Sequence, residues 1–283
     1  MEQAIVSGLT QGAAYALVAV GLALVYSVSR TINLAHGAFV VLGIMLVQAL
    51  AGPLGLVGAI VVALALGAAA AAGMEVLAVR RVADAPPLSG LLLTLGLAFA
   101  FQGLLRVVFG PDEFSSEPFT SSRSVDVLGA TIPAQAFWLI GVAAAVSIAL
   151  ELIVARTFIG RTLVACAQDP GGARLCGIPV ARVRAGTYAL AGALGVLAGV
   201  LLGPLTFVTY ESAISFALLG LIAAALGGLG SLRGAVLGGV FLGLAESLAV
   251  TYVSSQMKTP ITFAVLLALL TVRPRGFVRG VTA

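Results

Sequence analysis

Long apolar stretches dominate this chain, and most of them are long enough to cross a lipid bilayer. Taking runs of about 17–25 residues as spans, we predict nine at residues 5–28, 33–51, 54–79, 88–109, 134–155, 184–203, 213–230, 235–253 and 259–272. Eight is the alternative count, because the last run is short and the seventh and eighth are poorly separated. Only 9% of the residues are charged, against roughly 25% in a soluble domain, so lipid must solvate the folded chain.

The apolar stretches are predicted to be helices, because they lack the alternating pattern of a transmembrane barrel strand. The chain also contains 35 glycines, and small residues allow membrane helices to approach each other closely. We therefore expect an all-α polytopic membrane protein of eight or nine transmembrane helices, with residues 1–283 forming a single transmembrane domain.

The positions of the basic residues predict the orientation. Basic residues concentrate on the cytoplasmic side of membrane proteins. Placing the N-terminus outside and the C-terminus in the cytoplasm puts most of them inside: Arg30, Arg80, Arg81, Arg233, Arg273, Arg275, Arg279 and the five arginines of residues 156–184. The net charge of +4 follows from this distribution and does not indicate nucleic-acid binding.

Residues 156–184 form the most basic segment between the spans, with five arginines against one acid, Asp169, and we call them the basic segment. The pattern predicts a short helix at Arg161–Gln168, a turn at residues 169–172 and a further helical turn at Ala173–Cys176. A simple connection does not need this organisation, whereas a surface that docks a soluble partner does. The other long connection, the predicted external loop 110–133, is interpreted as a solvated connector, with a lid or docking surface as the alternative.

A few polar residues fall in or beside the predicted spans. Asn33 is a plausible N-cap for the second span, whose N-terminus and His36 could face an anionic group such as a carboxylate. The simpler interpretation is a polar turn formed by Arg30, Asn33 and His36. Glu246 lies within the eighth span and must face the helix bundle, a partner or water.

Two further acids lie close to arginines in the sequence. We expect Glu75 to pair with Arg80 and Glu151 to pair with Arg156, each about one helical turn away.

No pattern of catalytic residues is present. The chain lacks a Walker A sequence, so it has no P-loop for ATP. Its single histidine cannot build a metal cluster, and Cys166 and Cys176 lie on the predicted reducing side, where a disulfide is not expected. An enzyme and a bound cofactor are therefore not expected.

Three segments of the chain resemble one family of permeases. They are TQGAAYALVAVGLALVYSVSRTINLAHGAFVVLG (10–43), with INLAHG as its most specific part, GRTLVACAQDPGGARLCGIPVARVR (160–184) and GGLGSLRGAVLGGVFLGLAE (227–246). The chain resembles the Liv-type permeases of branched-chain amino acid ABC importers, in particular the shorter, LivH-type permease. Ala38 stands where many relatives carry an acidic residue, so urea or short-chain amides are alternative solutes.

The resemblance implies a bacterial plasma (inner) membrane complex with three kinds of partner. These are a second, LivM-type permease, two cytoplasmic ATPase subunits and an extracytoplasmic solute-binding protein. The basic segment would couple ATP hydrolysis to transport through Asp169, Ala173, Arg174 and Gly177, where small residues at 171–173 and 177 would let the ATPase dock closely. Our candidates for the substrate pathway are Asn33, His36, Gly37 and Glu246.

An ion-coupled secondary transporter is the alternative from another class. It would use Glu246 as the coupling group and the glycine-rich segment 227–239 as irregular backbone along the pathway. It would leave the organisation of the basic segment unexplained.

Overall fold

The computed structural model describes residues 1–82, 86–120, 124–127, 130–252, 258–272 and 276–278. Arg123, Arg273, Arg275, Arg279 and parts of the loop 110–133 lie outside these ranges. The described helices are α1 (Glu2–Ser29), α2 (His36–Leu77), α3 (Pro87–Phe109), α4 (Ala134–Arg156), α5 (Phe158–Gln168), α6 (Pro170–Leu175), α7 (Val180–Leu202), α8 (Ser212–Gly227), α9 (Leu232–Tyr252) and α10 (Lys258–Val272).

The architecture is that of a helical membrane protein, as predicted. Six helices in the described part of the chain are long and apolar enough to cross a membrane, and α8 is a shorter apolar helix. The loop 110–133 contains a two-stranded antiparallel ribbon, formed by β1 (Ser124–Val127) and β2 (Ala130–Pro133). Among the described residues, this ribbon departs from the all-α prediction.

Helix α2 reverses direction near its middle. Gly55 has a φ of +69°, two residues after Pro53, and a straight helix does not accommodate this backbone. Gly43 and Gly67 would be about 36 Å apart on a straight helix, yet both lie against Val196 of α7. The two arms of α2 therefore run antiparallel to each other, and they correspond to the second and third apolar stretches of the sequence.

Helix α1 occupies the centre of the bundle and is buried over most of its length. It packs against α4, α7, α8 and α9. At Gly12, an added Cβ atom would lie 2.8 Å from the Cα atom of Val240 in α9, so the two backbones are in direct contact. Small residues permit this approach, which is how helices associate in lipid without a hydrophobic driving force.

The connections separate into two ends of the bundle. At one end Arg30 contacts Ala167 of α5, Arg80 contacts Ala181 of α7, and Arg233 pairs with Glu151 of α4. We call this the arginine-rich end. At the opposite end the loop after α3 bridges to the connection between α7 and α8, because Phe114 and Val208 exchange backbone hydrogen bonds.

The close packing of α7 against α2 predicts the effect of a substitution at Gly199. A Cβ atom there would overlap the backbone carbonyl of Val40, so we expect Gly199→Ala to destabilise the fold by about 1–3 kcal/mol through overpacking. The control is Gly141→Ala in α4, where an added Cβ atom would meet no atom within 4 Å and helix propensity favours alanine. Thermal unfolding midpoints in detergent measure the difference. Equal midpoints would contradict the assigned packing.

Candidate functional site

The basic segment folds into two short helices joined by a shared cap. Thr157 begins α5, where its Oγ1 accepts a hydrogen bond from the backbone N–H of Gly160 at 3.1 Å. Asp169 ends α5 and begins α6, where its Oδ1 accepts from the N–H of Gly171 at 2.9 Å. Residues 170–172, predicted as a turn, form the first turn of α6 instead, because Pro170 suits the first position of a helix.

The inner surface of these two helices is apolar and lies against the end of α1. Cys166, Ala173 and Val180 form one buried cluster with Val28 of α1. One hydrogen bond adds to this contact, since Arg30 donates from Nη2 to the carbonyl of Ala167 at 3.3 Å. The basic segment is therefore attached to the helix at the centre of the bundle.

Cys166 and Cys176 are both free thiols, and they differ in exposure. Burial raises the pKa of the Cys166 thiol, so this side chain stays protonated and poorly reactive near neutral pH. Cys166 is a packing residue of the cluster, whereas Cys176 lies at the surface.

The outward surface of α6 has a mixed polar and apolar character. Asp169, Arg174 and Cys176 are exposed, and Leu175 is 92% exposed. Sequence reasoning missed Leu175, although an apolar residue beside Arg174 in an otherwise polar stretch is a usable signal. Ala173, one of the predicted coupling residues, is only 5% exposed. It faces the bundle and packs α6 against Val28 of α1, so it does not form part of the outer surface.

Gly177 terminates α6 through its backbone conformation. Its φ is +79°, and its N–H bonds to the carbonyl of Arg174 while that of Ile178 bonds to the carbonyl of Ala173. These bonds define the Schellman motif, which favours glycine at this position. The sequence predicted that a glycine is needed here for close docking of a partner. The left-handed backbone conformation alone accounts for the glycine. Space within this chain does not require it, because an added Cβ atom would meet no atom within 4 Å.

Ion pairs with a buried carboxylate hold the start of α7, the last part of the basic segment, against α2. Glu75 of α2 is fully buried and pairs with Arg80 at 2.9 Å and with Arg184 of α7 at 3.5 Å. The predicted partner of Glu75 is thus correct, with Arg184 in addition. The predicted partner of Glu151 is wrong, because the fold brings Arg233 of α9 to it, with Nε 2.6 Å from Oε1.

The connection between α1 and α2 turns back into the bundle before α2 begins. Thr94 of α3 holds it, donating to the carbonyl of Ile32 at 2.8 Å. Asn33 is buried and its Oδ1 accepts from the N–H of Ala35 at 3.2 Å. Asn33 therefore satisfies a backbone donor as expected, but Ala35 rather than Asn33 occupies the N-cap position of α2.

His36 and Gly37 begin α2 inside the protein. His36 is fully buried, its ring fits between Gly21 of α1 and Gly195 of α7, and neither ring nitrogen has a hydrogen-bond partner in the described part of the chain. Gly37 lies directly against the backbone of α8 at Ala213. Both residues are therefore contact points between helices.

Glu246 joins three helices. Its carboxylate accepts hydrogen bonds from Tyr15 of α1 at 2.7 Å and from Thr262 of α10 at 2.5 Å. His36 lies beside Gly21 on α1, about 9 Å along the helix from Tyr15. The predicted pathway residues thus occupy two separate places along α1 rather than one site.

Two substitutions at Gly177 distinguish the two explanations for this glycine, which are its left-handed backbone and the space it leaves for a docking partner. Asparagine and valine are similar in size, but only asparagine adopts the left-handed region readily. We expect Gly177→Val to raise the hydrogen-exchange rate of the Ile178 amide about tenfold, from a cost of about 1–2 kcal/mol, and Gly177→Asn to raise it much less. Equal effects of the two variants would refute the conformational explanation.

The chain matches the family model described as "Branched-chain amino acid transport system / permease component" over residues 4–272. A solved structure, PsaBC from Streptococcus pneumoniae in complex with Fab, aligns with a TM-score of 0.50 and 16% identity. The alignment covers 97% of this chain and 92% of that chain. At this identity the likeness shows the fold alone.

Curated relatives match along nearly the whole chain. The high-affinity branched-chain amino acid transport system permease protein LivH of Escherichia coli K12 is 34% identical over 303 residues, and LivH of Salmonella typhimurium LT2 is 31% identical over 296 residues. BraD of Pseudomonas aeruginosa is 31% identical over 290 residues. Each alignment covers 97% of this chain and 94% of the relative. The chain is therefore a multi-pass protein of the bacterial inner membrane and belongs to the LivH-like permease components of branched-chain amino acid transport systems.

Proposed function

We propose that this chain is one of two permease subunits in an ATP-driven importer of branched-chain amino acids, and that it contains no catalytic site of its own. The observation that carries this proposal is the exposed surface of α6, formed by Asp169, Arg174, Leu175 and Cys176. Arginine is enriched among the residues that dominate protein interfaces, and the 92% exposed Leu175 beside Arg174 adds apolar surface that is stabilised when a partner covers it. The partner that binds this surface of α6 would be a cytoplasmic ATPase subunit.

The proposed ATPase contact differs from the sequence prediction in two respects. Asp169 and Arg174 stay as contact residues, and Leu175 joins them. Ala173 and Gly177 act indirectly, because one packs against Val28 and the other ends α6. All four predicted coupling residues therefore contribute to one surface, two by contact and two by shaping it.

Movement of α6 can reach the transport pathway by two connections. The first runs from Ala167 through Arg30 to the segment that holds Asn33 and His36. The second runs along the chain into α7, whose first turns are bound to Glu75 of α2 by Arg184. Both connections are short and buried at their inner ends, so a displacement of α6 would move α1, α2 and α7 together.

The membrane topology that fits this role has nine crossings. The two arms of α2 count as separate crossings, and α1, α3, α4, α7, α8, α9 and α10 supply the other seven. The arginine-rich end faces the cytoplasm by the positive-inside rule, which leaves the N-terminus outside and the C-terminus inside. We further propose that residues 1–283 form one permease domain, with β1 and β2 in its external loop.

The proposed solutes are leucine, isoleucine and valine. LivH of Escherichia coli and BraD of Pseudomonas aeruginosa are named for branched-chain amino acid transport, and they match this chain over nearly its whole length. The proposed partners follow from the same class of transporter: a second permease of the LivM type, two ATPase subunits and a solute-binding protein outside.

An ion-coupled transporter is not favoured, because of the position of Glu246. Its carboxylate receives hydrogen bonds from Tyr15 and Thr262 and so fastens α9 to α1 and α10. This arrangement gives Glu246 a structural role, and an ion-coupled mechanism would leave the exposed surface of α6 without a function.

Substitution of Leu175 tests the ATPase contact. Losing the burial of a leucine side chain costs about 2 kcal/mol, or about thirtyfold in affinity, so we expect Leu175→Ala to lose most of the ATPase subunits during purification. Insertion into the membrane should not change, since Leu175 makes little contact with the permease itself. Quantitative mass spectrometry of the purified complex provides the measurement.

Leu77→Ala is the matched control for this experiment. Leu77 is 66% exposed near the arginine-rich end, yet it lies on α2 rather than on α6. The control should keep its ATPase subunits and its leucine uptake. Full retention of the ATPase by Leu175→Ala, or equal loss in both variants, would count against the assignment.

A further inference from the structure

A cavity of about 360 Å³ opens at the end of the bundle opposite the arginine-rich end. It lies between the first half of α1, the start of α4, the end of α7 and the first half of α8. Its volume is at the small end of the range for ligand pockets, which is roughly 300–1,000 Å³. None of the pathway residues predicted from the sequence lines it.

The two sides of this cavity differ in chemistry. Helix α1 supplies a polar wall, with Ser7, Thr10, Gln11 and Tyr15 at helical spacing on one face. Helices α7 and α8 supply an apolar wall that includes Leu202, Phe216 and Leu219. A lipid chain would match only the second wall, whereas a small molecule with a polar end and an apolar end matches both.

Gln11 carries an acceptor that the protein itself leaves unused. The side-chain oxygen of Gln11 is buried and has no hydrogen-bond partner in the described part of the chain. Two other glutamines at this end are fully engaged: Gln3 exchanges two hydrogen bonds with the backbone of Thr131, and Gln135 bonds to the backbone of Phe119 and Leu201. A buried acceptor without a donor is unfavourable, so the arrangement of Gln11 indicates a ligand that donates.

Tyr15 adds a hydroxyl group to the polar wall, and the carboxyl group of Glu246 lies behind it. It lines the cavity and donates from its hydroxyl to the carboxylate of Glu246 at 2.7 Å. The Gln11 side-chain oxygen can only accept hydrogen bonds, so it favours a donor such as an ammonium group. The Ser7 hydroxyl and the Gln11 amide are donors for a carboxylate on the same wall, because the Thr10 hydroxyl already donates to the carbonyl of Val6.

We propose that this cavity is a binding station for one zwitterionic amino acid with an aliphatic side chain, in which Gln11 receives the ammonium group and Leu202, Phe216 and Leu219 surround the side chain. This inference rests on the proposed transport function and deepens it. It places a selective step inside this subunit, in addition to any selection by a solute-binding protein.

Cysteine protection tests the station directly. In the complex purified with its native partners, Cys176→Ser removes the exposed native thiol. Ser7→Cys then places a new thiol in the polar wall and keeps a weak hydrogen-bond donor at that position, and the dissociation constant of leucine is measured on this variant. Leucine at about ten times its dissociation constant leaves about a tenth of the sites empty, so labelling by a methanethiosulfonate reagent should slow about tenfold. Asp112→Cys, in the exposed loop outside the cavity, is the control and should show no protection.

Selectivity and the role of Gln11 give two further readouts. Isoleucine and valine should protect Ser7→Cys, whereas glycine and urea at the same concentration should not. Gln11→Leu should weaken protection by leucine about tenfold or more, because it removes the acceptor for a charged donor. Gln102→Leu is its control, since Gln102 lies on α3 and bonds to the backbone of Glu211.

The inference is overturned if position 7 does not react, if leucine leaves its labelling rate unchanged, or if glycine protects as well as leucine. The proposed function is judged separately, by purifying the chain that keeps its native Cys176 and Ser7. A variant complex that retains its ATPase subunits and imports leucine while position 7 shows no protection would reject the binding station alone. A preparation of the unsubstituted chain without ATPase subunits would reject the importer.

Discussion

The packing of Cys166, Ala173 and Val180 against Val28 is the contact on which the proposed mechanism depends. It attaches two short helices, α5 and α6, to the C-terminal end of α1, which is the most deeply buried of the candidate membrane spans. The outward side of α6 thereby becomes a firm surface rather than a flexible connection. A force applied there acts on the centre of the protein and not only on its periphery.

The interior can transmit such a movement because its helices are in backbone contact. Glycines on α1, α2, α7, α8 and α9 lie where added side chains would overlap neighbouring main chain. Helices packed in this way shift as connected bodies, since little side-chain volume is available to absorb a displacement. The ion pairs of Glu75 connect α2 to α7, and the hydrogen bonds of Glu246 connect α9 to α1 and α10.

Sequence reasoning predicted much of the fold, and its errors have physical causes. The apolar runs located the described helices closely, including both arms of α2, because each arm needs its own apolar length. The pairing of Glu75 with Arg80 was predictable because both lie on one local turn. The partner of Glu151 was not, because Arg233 is 82 residues away and is brought close only by the packing of α4 and α9.

The site was predicted less completely than the fold. Sequence patterns identified the basic segment, but they could not show which side of α6 faces outward, so Ala173 was assigned to the surface and Leu175 was overlooked. Asn33, His36 and Glu246 attracted attention as polar groups in apolar surroundings, and each is in fact buried among helices. The cavity beside Gln11 was not foreseen, because its walls come from four helices that are distant in sequence.

Site-specific cross-linking from the native Cys176 tests the central claim most directly. This thiol is exposed on the outward surface of α6, whereas Cys166 is buried, so a benzophenone maleimide can be attached at one defined position in native membranes. After illumination, the account predicts a covalent product between this chain and an ATPase subunit, and its loss in Cys176→Ser. A labelled chain that yields no product with an ATPase subunit, or yields the same product in Cys176→Ser, would contradict the account.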